Sequence, residues 1–167
     1  MSTPPERLSL LFDTHGDKLY RLARRLTSSA ADAEDLLQDT FLKAAQSASS
    51  VPAGSPNEEA WLTRILVNTQ RDHWRRKGVR TRAAPLLHAP PSVTQTPESS
   101  LIARQAVWSA LDGLHPRRRA IVVLAEFDGM TPEAIAKLLG LAVMTVRWHL
   151  SLARRELRQS LASFMER

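Results

Sequence analysis

The sequence predicts an all-α chain of two small helical domains joined by a proline-rich linker. Three observations lead there. Leu and Ala abound while only 5% of the residues are aromatic, a composition that favours helix. Successive segments place apolar residues on one face at helical spacing. Between them AAPLLHAPPSVTQTPE holds four prolines and has no helical period, which reads as an extended interdomain linker. The boundaries expected are 1–80 for the first domain, 81–97 for the linker and 98–167 for the second.

The first helix is expected over Glu6–Leu26, with Leu8, Leu11, Phe12, His15, Leu19, Leu22 and Leu26 on one face. His15 on that stripe reads as a packed core or boundary residue. Thr27–Ala31 reads as a turn, and a second helix follows from about Asp32 to Ala48. Its apolar face is Ala33, Leu36, Leu37, Thr40, Phe41 and Ala44, leaving Asp32, Glu34, Asp35, Gln38, Asp39 and Lys43 outside. Acidic residues in a first turn also suit the helix dipole.

Ser47–Asn57 is a loop by composition, and Asn57 can cap a third helix over Glu58–Lys77. Leu62, Ile65, Leu66 and Thr69 are expected to face inward. Arg64, Asn68, Arg71 and Arg75 form an outer stripe at i, i+4, i+7 and i+11, extended by Arg76, Lys77, Arg80 and Arg82. Trp61 reads as core. Trp74 suits either core packing or a stacking surface for an unpaired base.

Beyond the linker a fourth helix is expected from Glu98 to Leu111, and a fifth, opened by Pro116, over Arg117–Phe127. Thr131 is then a good N-cap, Pro132 a tolerated first-turn proline and Gly140 a natural helix stop. The helix after it carries two stripes at one spacing. Val146, Leu150, Ala153 and Leu157 are apolar; Arg147, Ser151, Arg154 and Arg158 are polar and mostly basic. Two short helices across a glycine turn, the second basic in front, make a helix-turn-helix.

The charge is uneven. Residues 1–60 hold 6 basic and 9 acidic groups, whereas residues 61–82 hold 7 and 1, and residues 115–167 hold 9 and 5. Two basic segments on separate helices point to two polyanion contacts, and the acidic first third to a protein partner. The absence of cysteine excludes disulfides and thiolate metal sites within this sequence. The histidines at 15, 73, 88, 115 and 149 show no ligand spacing, so no metal or other cofactor is expected. Paired carboxylates lie in the second helix without a nucleophile, base or glycine-rich loop, and the chain is not expected to be an enzyme. No apolar run approaches a membrane span and the first residues lack a signal-peptide pattern, so a cytoplasmic protein is expected.

These residues resemble a bacterial extracytoplasmic-function (group IV) sigma factor over nearly the whole length. DAEDLLQDTFLKA resembles the polymerase-binding part of sigma region 2. AWLTRILVNTQRDHWRRKGVR is similar to the segment that melts and reads the −10 element, and ALDGLHPRRRAIVVLAEFDGMTPEAIAKLLGLAVMTVRWHLSLARREL to region 4, which reads the −35 element. The resemblance implies as partners promoter DNA, core RNA polymerase through its β′ clamp helices and β flap, and an anti-sigma factor. By position it implies polymerase contacts at Asp35 and Gln38, with Asp39 and Phe41 nearby. It implies −10 contacts at Arg64, Asn68, Arg71, Arg75 and Arg76, with Trp74 beside them. At the −35 element it implies Thr145, Arg147, Trp148, Ser151 and Arg154. This sequence departs from the pattern at Met144, where a small residue is frequent, at Trp148, where a small polar one is usual, and at Leu152, where a basic one is common. Two rival readings stand beside it: an autonomous helix-turn-helix regulator, and a sigma-like decoy that titrates an anti-sigma factor.

Overall fold

The computed structural model describes the backbone of residues 4–83 and 99–165. Seven α-helices make up that structure: α1 Pro4–Leu26, α2 Ala30–Gln46, α3 Ser55–Ala83, α4 Ser99–Asp112, α5 Pro116–Glu126, α6 Pro132–Leu139 and α7 Val143–Met165. A short 3-10 turn spans Ala48–Ser50. The all-α expectation holds.

Several boundaries differ from those expected, each for a local reason. α2 starts at Ala30 because Ser29, in extended conformation, accepts from Asp32 N and caps the helix two residues early. Asn57 is not a cap but lies inside α3. The Gly54 carbonyl receives Asn57 N and Glu58 N at 3.0 Å, and the Asn57 side chain donates to Ala53 O at 2.9 Å. α3 runs on to Ala83, through the first three residues of the expected linker. The rest of that linker, up to Glu98, lies outside the described residues.

α1, α2 and α3 pack on one another and bury Leu19, Leu22, Leu26, Leu36, Leu62 and Leu66. Full burial of each such side chain contributes about 1.5–3 kcal/mol. α4 to α7 form a second bundle around Ile121, Val123, Leu124, Ile135, Val146 and Leu150. His15 is buried as expected, with Nε2 3.4 Å from Glu58 Oε2. Phe12 departs from its expected core face. It is half exposed and sets its ring edge-on to Phe41 at 5.0 Å.

The two bundles share one continuous core, with α5 against α1 and α3 and α6 against α3. The last carbonyls of a helix have no intrahelical partner and carry the negative end of its dipole. At the end of α1 those groups are satisfied from outside. Arg119, 4% exposed, donates from Nε to Arg25 O at 2.7 Å and from Nη2 to Thr27 O at 2.9 Å. Its Nη1 pairs with Asp112 Oδ1 at 2.6 Å, and Gln70 Nε2 donates to Leu26 O at 3.2 Å. Arg64 does the same at the end of α6, reaching Leu138 O at 2.6 Å and Lys137 O at 3.3 Å. Each bundle thus lends an arginine to close a helix of the other.

Candidate nucleic-acid interface

The helix-turn-helix is built as its sequence specifies. Thr131 accepts from Ala134 N at 3.2 Å, and Gly140 takes φ 66° and ψ 40°, the left-handed conformation in which a Cβ would be strained. Leu141 N reaches back to Ala136 O at 2.9 Å, and the chain turns through 113° between α6 and α7, within the range of such motifs. Val146, Leu150 and Ala153 are buried, which leaves Met144, Arg147, Trp148, Ser151, Arg154 and Arg155 exposed. Thr145 is half-buried at the start of this helix. Two of the arginines already hold carboxylates: Arg147 Nη2 lies 2.7 Å from Glu133 Oε1, and Arg154 bonds Glu126 Oε1 through Nε and Nη2. Glu133 is held below the usual carboxylate range by its own backbone N–H and by Arg147. Both pairs are exposed, and exposed pairs contribute little, so the guanidinium groups can exchange a carboxylate for a phosphate.

On the α3 stripe Arg64, Asn68 and Arg75 are exposed, as expected, while Arg71 is half-buried. Arg64 caps α6, while Asn68 and Arg71 line a cleft closed by Pro116, Arg117, Leu139 and Leu141. The Arg71 Nε has no hydrogen-bond partner among the described residues. Trp74, half exposed, meets the His115 ring edge-on at 4.9 Å. Arg75, Arg76 and Lys77 lie beyond this cover and are exposed. The second bundle therefore borders the N-terminal and middle part of the stripe without burying Arg64 or Asn68. A helical period reports that a face is polar; it does not report that another bundle's carbonyls need the donors.

α2 divides its polar face. Asp39 Oδ2 lies 2.6 Å from His73 Nε2, Lys43 pairs with Asp72 at 3.0 Å and Asp32 with Lys77 at 3.1 Å, all across to α3. Burial pushes Asp32 up, but hydrogen bonds from Lys77 and Ser29 outweigh it and hold the carboxyl low. Glu34, Asp35 and Gln38 stay exposed, and Phe41 lies in the core at 8% exposure. Asp35 and Gln38 are thus open to a partner, whereas Asp39 is engaged and Phe41 is covered.

The reading of the residues passed over Arg119. Its signal was its position, since the third arginine of Arg117–Arg119 adjoins the buried run from Ala120 to Leu124. No group of His, Asp or Glu among the described residues could hold a metal ion.

Comparison with known proteins matches Sigma-70 region 2 to residues 11–80 and Sigma-70, region 4 to residues 104–157. The ECF RNA polymerase sigma factor SigM of Mycobacterium tuberculosis is 35% identical over 147 residues, 88% of this chain and 73% of that protein. This chain belongs to the sigma-70 family of RNA polymerase sigma factors. Region 2 is the bundle of α1 to α3, and region 4 holds the helix-turn-helix. The ECF sigma factor SigE of Mycolicibacterium smegmatis is 37% identical over 154 residues, and the chain spans 59% of its length. Among solved structures, the sigma factor RpoE in complex with the anti-sigma factor NepR from Bartonella quintana superposes with a TM-score of 0.67 at 28% identity, over 95% of this chain and 96% of that one.

Proposed function

We propose that this sigma factor binds core RNA polymerase through the exposed Asp35 and Gln38 of α2, reads duplex −35 DNA with α7, and captures unpaired −10 bases on α3. The observation that carries the reading is the pair of separate basic faces, Arg147–Arg154–Arg155 on one helix and Arg71–Arg75–Arg76 on another, on a scaffold of the sigma-70 family. A duplex reader needs the first alone. The chain performs no bond chemistry in this account; polymerase does that, in the cytoplasm.

In the packed arrangement α6 engages the Arg64 guanidinium, and Asn68 and the half-buried Arg71 line a cleft shared with the second bundle, so parting of the two bundles would free the whole of the −10 face. Parting breaks the apolar core that the bundles share as well as these hydrogen bonds, a cost that contacts to polymerase offset, and carbonyls freed at the ends of α1 and α6 are taken up by water. Parting also releases Trp74 from His115, leaving an indole to stack on an extruded base. Unstacking a base costs a few kcal/mol, and a handful of cationic contacts in salt recovers that only marginally. The free chain therefore does not melt DNA; polymerase supplies the remaining contacts. An anti-sigma factor is a further proposed partner, since the neighbouring sigma factor RpoE was solved in complex with the anti-sigma factor NepR.

Reconstitution with core polymerase, followed by mapping of transcript starts on genomic DNA, tests the proposal. Starts that share −35 and −10 motifs and need both components are expected. Sequence-specific duplex binding by the chain alone, unaffected by polymerase, would instead make it an autonomous regulator.

A further inference from the structure

We propose that Met144 and Trp148 read the 5-methyl groups of thymine in the −35 major groove, so that this sigma factor selects its −35 element in part by apolar contact. The proposal rests on the −35 reading of α7 and names the base chemistry which that surface recognises.

Met144 is 71% exposed and Trp148 57%, the first among the most open large apolar side chains of the described residues. They stand four residues apart on α7, one helical turn, so their side chains adjoin. Neither is needed by the core, since Val146, Leu150 and Ala153 already fill the buried face of the helix. The indole meets the neighbouring His149 ring at 4.8 Å and 59°. Such a patch calls for a cover. Its surroundings say which kind: Arg147 lies between the two residues, and Ser151, Arg154 and Arg155 continue the same exposed side. The two acidic groups nearby, Glu133 and Glu126, are each taken up by an arginine. A cationic rim round an apolar centre complements a phosphate backbone flanking base edges.

The side chains then limit what can be read. A thioether offers a weak acceptor and an indole a single donor, so neither makes the bidentate contacts that distinguish guanine or adenine. The major groove presents one apolar feature, the thymine methyl, and both side chains suit it. Arg147, beside them, remains available for a hydrogen-bonding contact once Glu133 releases it.

The test uses the full chain with core polymerase and a −35 element selected from random duplex libraries. Each thymine in turn is replaced by deoxyuridine, which removes the methyl and leaves every hydrogen-bonding group in place. Loss of one buried methyl is expected to weaken binding by about fourfold. At one or more thymines wild type should show that loss, and Trp148→Ser or Met144→Ser, with helix content and polymerase affinity retained, should not. Equal affinity for thymine and deoxyuridine at every position would overturn the proposal, as would a methyl effect that survives in both variants. If both variants bound every duplex as wild type does, the patch would belong to a protein partner and the proposal would again fail. Selection that returns no −35 motif would remove the underlying reading as well; a clear motif with silent deoxyuridine removes the methyl proposal alone.

Discussion

Arg64 Nε donates to the carbonyl oxygen of Leu138 at 2.6 Å, so a residue of the proposed −10 face closes the first helix of the helix-turn-helix. Arg119 returns the same service to the end of α1. These two contacts add charge-assisted hydrogen bonds to the apolar core that the bundles share, the buried Arg119 contributing about 1.5–3 kcal/mol per bond and the exposed Arg64 less.

Arg119→Ala removes the Arg119 donors from the carbonyls of Arg25 and Thr27 and leaves Asp112 without its cationic partner, though still bonded by the Ser28 hydroxyl at 2.9 Å. A loss of about 2–4 kcal/mol in urea unfolding is expected, with Arg119→Lys intermediate because an ammonium cannot span three acceptors. Arg64→Ala should cost less, since Arg64 is exposed, yet the double variant should have a larger radius of gyration by X-ray scattering. An unchanged radius in the double variant would show that apolar packing alone holds the bundles.

Asp35→Ala and Gln38→Ala should each weaken binding to core polymerase, by up to about 1.5–3 kcal/mol if the contact made is to a charged group. Both side chains are exposed, so the melting temperature should stay as in wild type. Wild-type affinity in both variants would leave this face of α2 with no more than a capping and solubility role.

Acid should loosen the packing through His115 and His149. His115 Nδ1 accepts from Arg117 N at 3.3 Å, a role open only to the neutral ring. Burial first, then Arg118 and Arg117, hold it below its ordinary value; burial, Arg117 and Arg118 do the same for His149. Glu156, which pairs with Arg118, opposes the shift at His115. The unfolded chain thus binds these protons more readily. Their contribution is complete above about pH 6.5 and is lost as pH falls through the lower folded values. His115→Asn with His149→Gln, the asparagine keeping an acceptor at the cap, should flatten stability over that window. An unaltered slope in the double variant would assign acid sensitivity to other groups.

Local chemistry was legible in the sequence, and pairings between distant segments were not. Thr131 and Gly140 announce their helix ends because a cap is a contact within three or four residues. Leu36, Leu62 and Leu66 announce the core through spacing alone. Ser29 was within reach by the same rule, as Asp32 stands three residues on, but the acidic run drew the expected start of α2 two residues late. Arg64 is different. Nothing nearby states that the carbonyl it serves is 74 residues away, and its periodicity equally fits a face left for DNA or water.

Arg154→Ala should weaken −35 duplex binding to a similar degree whatever the sequence, and lower the salt dependence by about one phosphate contact. Arg147→Ala should relax preference at one −35 position, an Arg–guanine pair contributing about 1–3 kcal/mol of discrimination. Library selection with both variants at two salt concentrations separates the roles. The same motif from Arg147→Ala as from wild type would remove that residue from base reading.

The α3 stripe, bordered by the second bundle in the packed chain and proposed as the −10 face, is the centre of this account. Permanganate footprinting of the holoenzyme on a mapped promoter addresses it most directly, comparing wild type with Arg71→Ala combined with Arg75→Ala. Thymines of the −10 element should react in wild type, stay silent with the chain alone, and lose most of their reactivity in the double variant at equal polymerase occupancy. Undiminished reactivity in that variant would contradict the account and leave strand opening to other residues.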